Sequence, residues 1–503
     1  MAALQSKDDN YNFMKVMGKG TFGEVRKAWR RSTGELVAIK TIGKNYNKSY
    51  IIKNELKLLE ALKKLDPEES HIVHFIEYFQ DQVNYYLVFE LLHENLLQYQ
   101  KKINFSPIPV RHIRTITLQI LEALMKLKEI CVIHADLKPE NIMLVDHNRY
   151  PFKIKVVDFG SAGILNEVTH VKEPYIQSRF YRAPEILLGL PFDEKVDMWS
   201  LGCVLAELHL GYPLYPGINE YDQIRYICDM QGLPQNYLLD AGSKSPRFFE
   251  RQTNCNGETH WRMKTMKEYQ LKTTVVSTGR QAVLLKSLDQ IGTVNISKSS
   301  FPDLETLAEY YDLKTMVELI KKMLVWDSHK RITSIAATKH HFISLQHLNI
   351  IYRNTRYYQL SRQCPYETTK NTQQYDYNFP SAGRHYLFCP NNSKVQDVQH
   401  VHVTEEVQKA NKNMNGLHAQ ANRPHWEQEK EQLASHSNNR HPKCPKADEL
   451  LSIQMHVEIQ IPEDYTEGNT VESWFDCTSN FPAQNSIQED NIDYKRQNTS
   501  SQR

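Results

Sequence analysis

The stretch Ile133-His-Ala-Asp-Leu-Lys-Pro-Glu-Asn-Ile-Met143 decides how the rest of the chain is read. It sets an acid (Asp136), a cation (Lys138) and an amide (Asn141) within a few positions, with apolar residues on both sides. Such a group suits phosphoryl transfer. A carboxylate orients and deprotonates an attacking hydroxyl, an ammonium offsets charge on the moving phosphoryl group, and an amide oxygen holds a metal ion. Taken alone, the stretch also fits an amphiphilic loop between two buried strands, so its flanks must decide.

Upstream, Tyr11 to Val25 reads YNFMKVMGKGTFGEV, with Gly18, Gly20 and Gly23 spaced G-x-G-x-x-G. Glycines there let backbone N–H groups approach triphosphate oxygens. The same spacing occurs in dinucleotide-binding turns, but those open a helix. Here Thr21-Phe22-Gly23-Glu24-Val25-Arg26-Lys27-Ala28 reads as strand, which favours a glycine hairpin over a nucleotide. An apolar strand, Glu35-Leu-Val-Ala-Ile-Lys40, then ends in a lysine suited either to phosphate or to solvent. Ile52, Leu56, Leu59 and Leu62 mark one face of a following helix, with Glu55 at its edge as the natural partner for Lys40. Tyr85 to Leu92 reads as a buried strand.

Downstream of a long helical stripe (Ile113, Ile116, Ile120, Leu124, Leu127) and the opening stretch, Phe152 to Gly160 is a strand ending in Asp158-Phe159-Gly160. A carboxylate at a strand end suits Mg²⁺ that bridges phosphates. Composition adds bounds. The chain has 503 residues, is 40% hydrophobic and carries a formal charge of +2, which gives no global pull toward nucleic acid or anionic membrane. No apolar run reaches about eighteen residues, the N-terminus has no hydrophobic signal region, and the eight cysteines form no CxxC pair. These features predict an intracellular chain with reduced thiols.

The ordered set of motifs resembles that of eukaryotic protein kinases. The resemblance implies a two-lobed α+β fold, with a β-rich small lobe over about 11–92 and a helical large lobe over about 93–347. A short arm (1–10) precedes them, and an insert of irregular character covers about 239–304. Closer matches are Ala135 between His134 and Asp136, Val157-Asp-Phe-Gly-Ser-Ala162, Tyr175-Ile-Gln-Ser-Arg-Phe-Tyr-Arg182 and Gly189-Leu-Pro-Phe192. These resemble the homeodomain-interacting protein kinases, within the dual-specificity tyrosine-regulated group.

That resemblance implies ATP and Mg²⁺ as cofactors, and Ser/Thr phosphorylation of protein substrates, often before proline, with transcription factors among them. By the same resemblance, Asp136 and Lys138 are catalytic, and Asn141 and Asp158 hold metal. The ATP site would draw on Met17, Gly18, Lys19, Gly20, Thr21, Phe22, Gly23, Glu24, Val25, Ala38, Lys40 and Glu55. Phe89 would back the adenine pocket, and the backbone from Glu90 to Leu92 would supply its hydrogen bonds. Tyr175 matches the family's self-modified tyrosine, with Arg179 and Arg182 as nearby cations for its phosphate. Ala135 has no donor, so the grip that an arginine there gives to a phosphorylated activation residue cannot form. Ala183-Pro184-Glu185 would close the activation segment, with Glu185 paired to Arg331, and Asp197 would brace the catalytic loop.

Residues 348–503 are rich in Gln, Asn, His, Ser and Lys, and read as a largely disordered tail. Ile453 to Ile461 alternates apolar and polar residues, which fits a docking strand or a chance alternation equally. The tail shows no match to the homeodomain-binding region of the longer relatives, and no confident basic cluster, so the expected location is the cytoplasm, with the nucleus as the alternative. The rival reading is a catalytically silent scaffold, for which a missing Lys, Asp or Asn among these roles is the expected mark; none is missing.

Overall fold

The structure, a computed structural model, describes residues 10–20, 23–44, 49–168, 176–253, 255, 257, 259–271, 285–294 and 303–363. Its first elements are set by alternation. β1 (Tyr11–Gly20), β2 (Gly23–Arg30), β3 (Leu36–Gly43), β4 (Phe75–Gln80) and β5 (Asn84–Glu90) form an antiparallel sheet in the order β1-β2-β3-β5-β4. Val37, Ile39, Tyr86 and Val88 pack on one face, while Ile42 and Leu87 join the main core on the other. Against that second face lies α1 (Ser49–Leu62). Ile52, Leu59 and Leu62 are buried as their spacing predicts; Leu58 joins them, and Leu56 is only partly covered.

The glycine stretch is a hairpin, with Gly20 paired to Gly23 and Lys19 to Glu24. Gly23 has φ +153, and a Cβ there would stand 1.8 Å from the Thr41 carbonyl oxygen, so only glycine lets β2 lie this close to β3.

Past a short connector after Glu90, the hinge between the two lobes, the chain turns helical. β6 (Glu94–Asn95) leads into α2 (Leu96–Lys102), capped by the Asn95 side chain, and into α3 (Val110–Glu129), whose predicted stripe is buried. β7 (Val132–Ile133), β8 (Ile142–Leu144), β9 (Ile154–Val156) and β10 (Gly163–Ile164) form two small sheets, β6-β8-β9 and β10-β7. α4 (Leu165–Val168) and α5 (Pro184–Leu188) flank the activation segment. α6 (Lys195–Leu210) is buried all round, which its near-continuous apolar sequence allows.

α6 packs against α3, and after it come α7 (Glu220–Gln231), α8 (Asn236–Ala241), α9 (Ser245–Phe248), the hairpin of β11 (Phe249–Thr253) with β12 (Thr259–Met263), and α10 (Met266–Gln270), with α7 against α5 and α8 against β12. The region read as an irregular insert thus contains ordered pieces, each too short to register as a periodicity. α11 (Leu304–Met323), α12 (Ser334–Thr338) and α13 (His341–Ser344) follow.

The kinase domain is expected to end near 347, and ordered helices continue past that point. α14 (Gln346–Asn349) and α15 (Arg356–Arg362) fold back on α11, where Leu345, Leu348, Tyr352, Tyr357 and Tyr358 bury with Leu307 and Ala308. Asp312 of α11 accepts from Arg114, from the Tyr357 hydroxyl at 2.5 Å, and contacts His347 Nε2 at 3.0 Å. The described fold therefore runs to Gln363.

Candidate active site

The catalytic loop is held from below by a helix. Asp197, at the start of α6, accepts from His134 N at 2.8 Å and Ala135 N at 2.9 Å, fixing Ala135 at φ +60. Burial pushes the Asp197 carboxyl up, and His134 and these backbone bonds only partly offset that. Asp136 N donates to His134 Nδ1, which leaves Nε2 to donate to Val157 O at 3.0 Å. The loop is thereby tied to the strand that delivers Asp158.

Around Asp136 four donors converge. Ser178 Oγ and Ser178 N donate to Oδ1 at 2.7 and 3.1 Å, while Asn141 Nδ2 donates to Oδ2 at 3.1 Å. Lys138 Nζ stands 3.0 Å from Oδ2 and also donates to Ser178 Oγ at 3.0 Å. Burial works against the Lys138 ammonium, but Asp136 and Glu140 outweigh it and hold its pKa above the ordinary lysine value. Lys138 therefore stays charged beside the carboxylate. Ser178 escaped the sequence reading: its partners lie about forty residues away, and no spacing rule points to it.

A second cluster joins β3, α1 and the turn after β9. Lys40 Nζ donates to Glu55 Oε1 at 2.7 Å and to Asp158 Oδ1 at 3.0 Å. Burial alone would lower the Lys40 pKa; Asp158 and then Glu55 reverse this and raise it. Burial would raise the Asp158 carboxyl, and Lys40 overrides that and lowers it. Asp158 sits in the left-handed region at φ +62, a strained placement for a non-glycine residue. Gly160 lies against the cluster, where a Cβ would come within 3.3 Å of Asp158 Oδ1 and 3.4 Å of Lys40 Nζ.

The donor set fits a nucleotide-bound Mg²⁺. Asn141 spends its amide nitrogen on Asp136 O and Oδ2, so its carbonyl oxygen is the atom left for a ligand. Lys40 and Gly160 N both use Asp158 Oδ1, which leaves Oδ2. Two hard oxygens, completed by phosphate and water, are what Mg²⁺ takes. Among the described residues no cluster of three or more His, Cys, Asp or Glu could hold a metal by itself.

The remaining ATP-site candidates line the small-lobe sheet. Met17, Gly18, Lys19 and Gly20 lie on β1, and Glu24 and Val25 on β2, with Val25 paired to Lys40. Ala38 on β3 pairs with Phe89 on β5, and Phe89 packs on Phe75 with ring centroids 5.5 Å apart. Glu90 N already donates to His74 O at 3.1 Å, so that residue has only its carbonyl to offer an adenine. Leu92 is buried just beyond it. Thr21, Phe22 and Tyr175 lie outside the described residues.

Arg179 and Arg182, expected as nearby cations for a phosphate on Tyr175, also make contacts among the described residues. Arg179 Nη1 donates to Ile218 O at 2.6 Å. Arg182 is buried, pairs with Glu220 at 3.0 Å and donates to Gln177 O and Ile176 O. Both act as internal braces of the segment. Glu185 and Arg331 form a bidentate buried pair at 2.6 and 2.8 Å, which anchors the segment's end.

Comparison with known proteins agrees with this geometry. The protein kinase domain family matches residues 11–343. Homeodomain-interacting protein kinase 4 of Mus musculus is 60% identical over 365 residues, 72% of this chain and 59% of that protein. The Homo sapiens protein of the same name shares the same identity and coverage. Homeodomain-interacting protein kinase 1 of Mus musculus is 47% identical over 345 residues, 69% of this chain and 28% of that protein. The match thus spans about three fifths of the first of these relatives and less of the last. With a lysine, two aspartates and an asparagine gathered at one cleft, and a family match over most of the folded residues, the chain belongs to the protein kinases and is similar to the homeodomain-interacting ones.

Proposed function

We propose that this chain transfers the γ-phosphoryl group of ATP to Ser or Thr hydroxyls of proteins, favouring sites followed by proline. The observation that carries the reading is the Asp136 carboxylate, already within 2.7 Å of one short hydroxyl, that of Ser178, beside the Lys138 ammonium. Asp136 would orient the substrate hydroxyl and accept its proton, and Lys138 would offset charge on the phosphoryl oxygens. Lys40, braced by Glu55, would position phosphates; Asn141 and Asp158 would hold Mg²⁺, which neutralises phosphate charge when bound. The chemistry asked of this chain is mostly positioning.

Proline direction has physical support in the segment that faces substrate. Gln177 stands at φ +67, and its carbonyl oxygen is turned to Arg182 Nη2 at 2.9 Å. Its side chain is spent on Ala183 N, Ser200 Oγ and Val196 O. Gln177 therefore offers no acceptor to a substrate backbone N–H, and a proline, which has none, forfeits nothing.

Self-phosphorylation of Tyr175, a cytoplasmic location, and homeodomain transcription factors among the substrates belong to the same reading. The last rests on the relatives' names.

Peptides ending in Ser-Pro, Ser-Ala and Tyr-Pro test the reading against the full chain. The Ser-Pro peptide should exceed Ser-Ala by about tenfold in kcat/KM, about 1.4 kcal/mol of transition-state binding. Asp136→Asn should abolish transfer with little change in Tm, and mass spectrometry should find phosphate on Tyr175 in the parent alone. Equal rates on Ser-Pro and Ser-Ala would remove the proline preference. No transfer from a folded, ATP-binding parent would make the chain a scaffold.

A further inference from the structure

A buried lysine that the chemistry above does not use joins the hinge to the strand behind the catalytic loop. The Lys155 side chain, in the middle of β9, is 1% exposed. Its Nζ donates to both carboxylate oxygens of Glu90, at 2.8 and 3.0 Å, and to Glu68 Oε1 at 3.0 Å. Glu90 ends β5 and begins the hinge. Its Oε1 also accepts from His74 N at 2.6 Å, and its own N–H donates to His74 O. The strap from His71 to His74 is in turn sewn to β9, through Val156 N to His71 O at 2.8 Å and Val73 N to Val156 O at 3.0 Å. Three segments meet on one carboxylate: the hinge, the strap and β9.

The position of this knot matters more than its strength. Glu90 pairs with Val37 in the sheet, next to the Ala38–Phe89 pair, so it fixes where the hinge backbone leaves the sheet. Lys155 lies three residues before Asp158, which faces Lys40. One ammonium thus sets the spacing between the hinge carbonyl that would meet an adenine and the carboxylate that would meet its phosphates. A charge with its hydrogen bonds made in full holds such a spacing more tightly than apolar packing, because losing one partner leaves the other buried and unpaired. Glu68 differs from Glu90: its side chain is 63% exposed and touches no hinge residue in this network.

We propose that Lys155 is a positioning residue for nucleotide, holding the hinge through Glu90 in register with the strand that carries Asp158. The inference rests on the kinase reading of the cleft. It differs from a general bracing role in what it alters: nucleotide affinity, not peptide affinity or the chemical step.

The test uses the full chain with mant-ATP for direct binding, and ATP with a Ser-Pro peptide for turnover. Lys155→Met keeps the apolar stem and removes the charge. It should raise both the mant-ATP Kd and the KM for ATP about tenfold, with kcat and peptide KM within about threefold of the parent. Glu90→Gln should do the same, and the double variant should be no worse than either, since both remove one interaction. Lys155→Arg should recover most of the affinity, because a guanidinium can still fork onto Glu90. Glu68→Gln should leave both constants at parent values.

Parent-like nucleotide affinity in Lys155→Met and Glu90→Gln would overturn the proposal. So would an equal loss in Glu68→Gln, or a parallel fall in kcat, peptide affinity and Tm. Should Lys155→Met fail to fold, Glu90→Gln and Lys155→Arg carry the same comparison. A parent that binds mant-ATP but transfers no phosphate would defeat the kinase reading alone, and the binding arm would then decide on Lys155.

Discussion

Asp136 gathers Ser178, Asn141 and Lys138 onto one carboxylate, and those contacts differ in what they cost to remove. Ser178 is the informative one, because its hydroxyl links the activation segment to both the acid and the cation. Ser178→Ala should lower kcat by roughly tenfold through misplacement of Asp136 and Lys138, while steady-state ATP affinity and Tm stay near parent values. Steady-state kinetics with a Ser-Pro peptide would check this; an unchanged kcat would make Ser178 a bystander. The motif resemblance singled out Asp136, Lys138, Asn141 and Asp158, because each occupies a fixed offset in a short motif. It could not reveal Ser178 or Lys155. Their partners lie tens of residues away, and a lone serine or lysine has no spacing signature.

At the level of elements, α6 carries the clearest conflict between sequence and burial. Its Glu207 is fully buried; Oε2 accepts from the Tyr181 hydroxyl at 2.7 Å, and Oε1 has no partner. Burial pushes its carboxyl from 4.5 up to about 8, and the Tyr181 bond offsets only part of that. The sign follows. Between those values the folded protein keeps a proton that the unfolded chain releases, so stability is greatest below about 4.5 and declines as pH rises toward about 8. The slope from this one group approaches 1.4 kcal/mol per pH unit as an order of magnitude. Glu207→Gln carries no such proton, and its Tm should fall less than the parent's between about pH 6 and about pH 8. Identical pH profiles by calorimetry would place Glu207 outside this linkage. The stripes of α1 and α3 were legible because long amphipathic helices repeat their apolar residues several times. α14 and α15 were not, since helices of four and seven residues offer too few turns.

Across the whole molecule, the last described residues hold the fold together as much as the first. Asp312 collects Arg114, His347 and Tyr357, and Glu305 accepts from Arg356 N and Tyr357 N at 2.7 Å each. A chain ending at 347 lacks Leu348, Tyr352, Tyr357 and Tyr358, and exposes Leu307 and Ala308 of α11. Each large side chain lost from such a cluster costs about 2–4 kcal/mol. The 1–347 protein should therefore melt well below the 1–363 protein, whereas 1–363 should match the full chain in Tm and in peptide turnover. Equal melting of 1–347 and 1–363 would show that the C-terminal helices are ornamental.

Glu185 and Arg331 lie 146 residues apart, and the acid precedes its partner. A ribosome adding roughly 10 residues each second makes Glu185 about 15 seconds before the arginine that anchors it. Lys40, Asp136 and Asp158 are made earlier still. During synthesis these three side chains therefore exist for some time without the anchor of the segment that ends at Glu185. The chain's own order of manufacture leaves that segment unanchored until a nearly complete domain surrounds it.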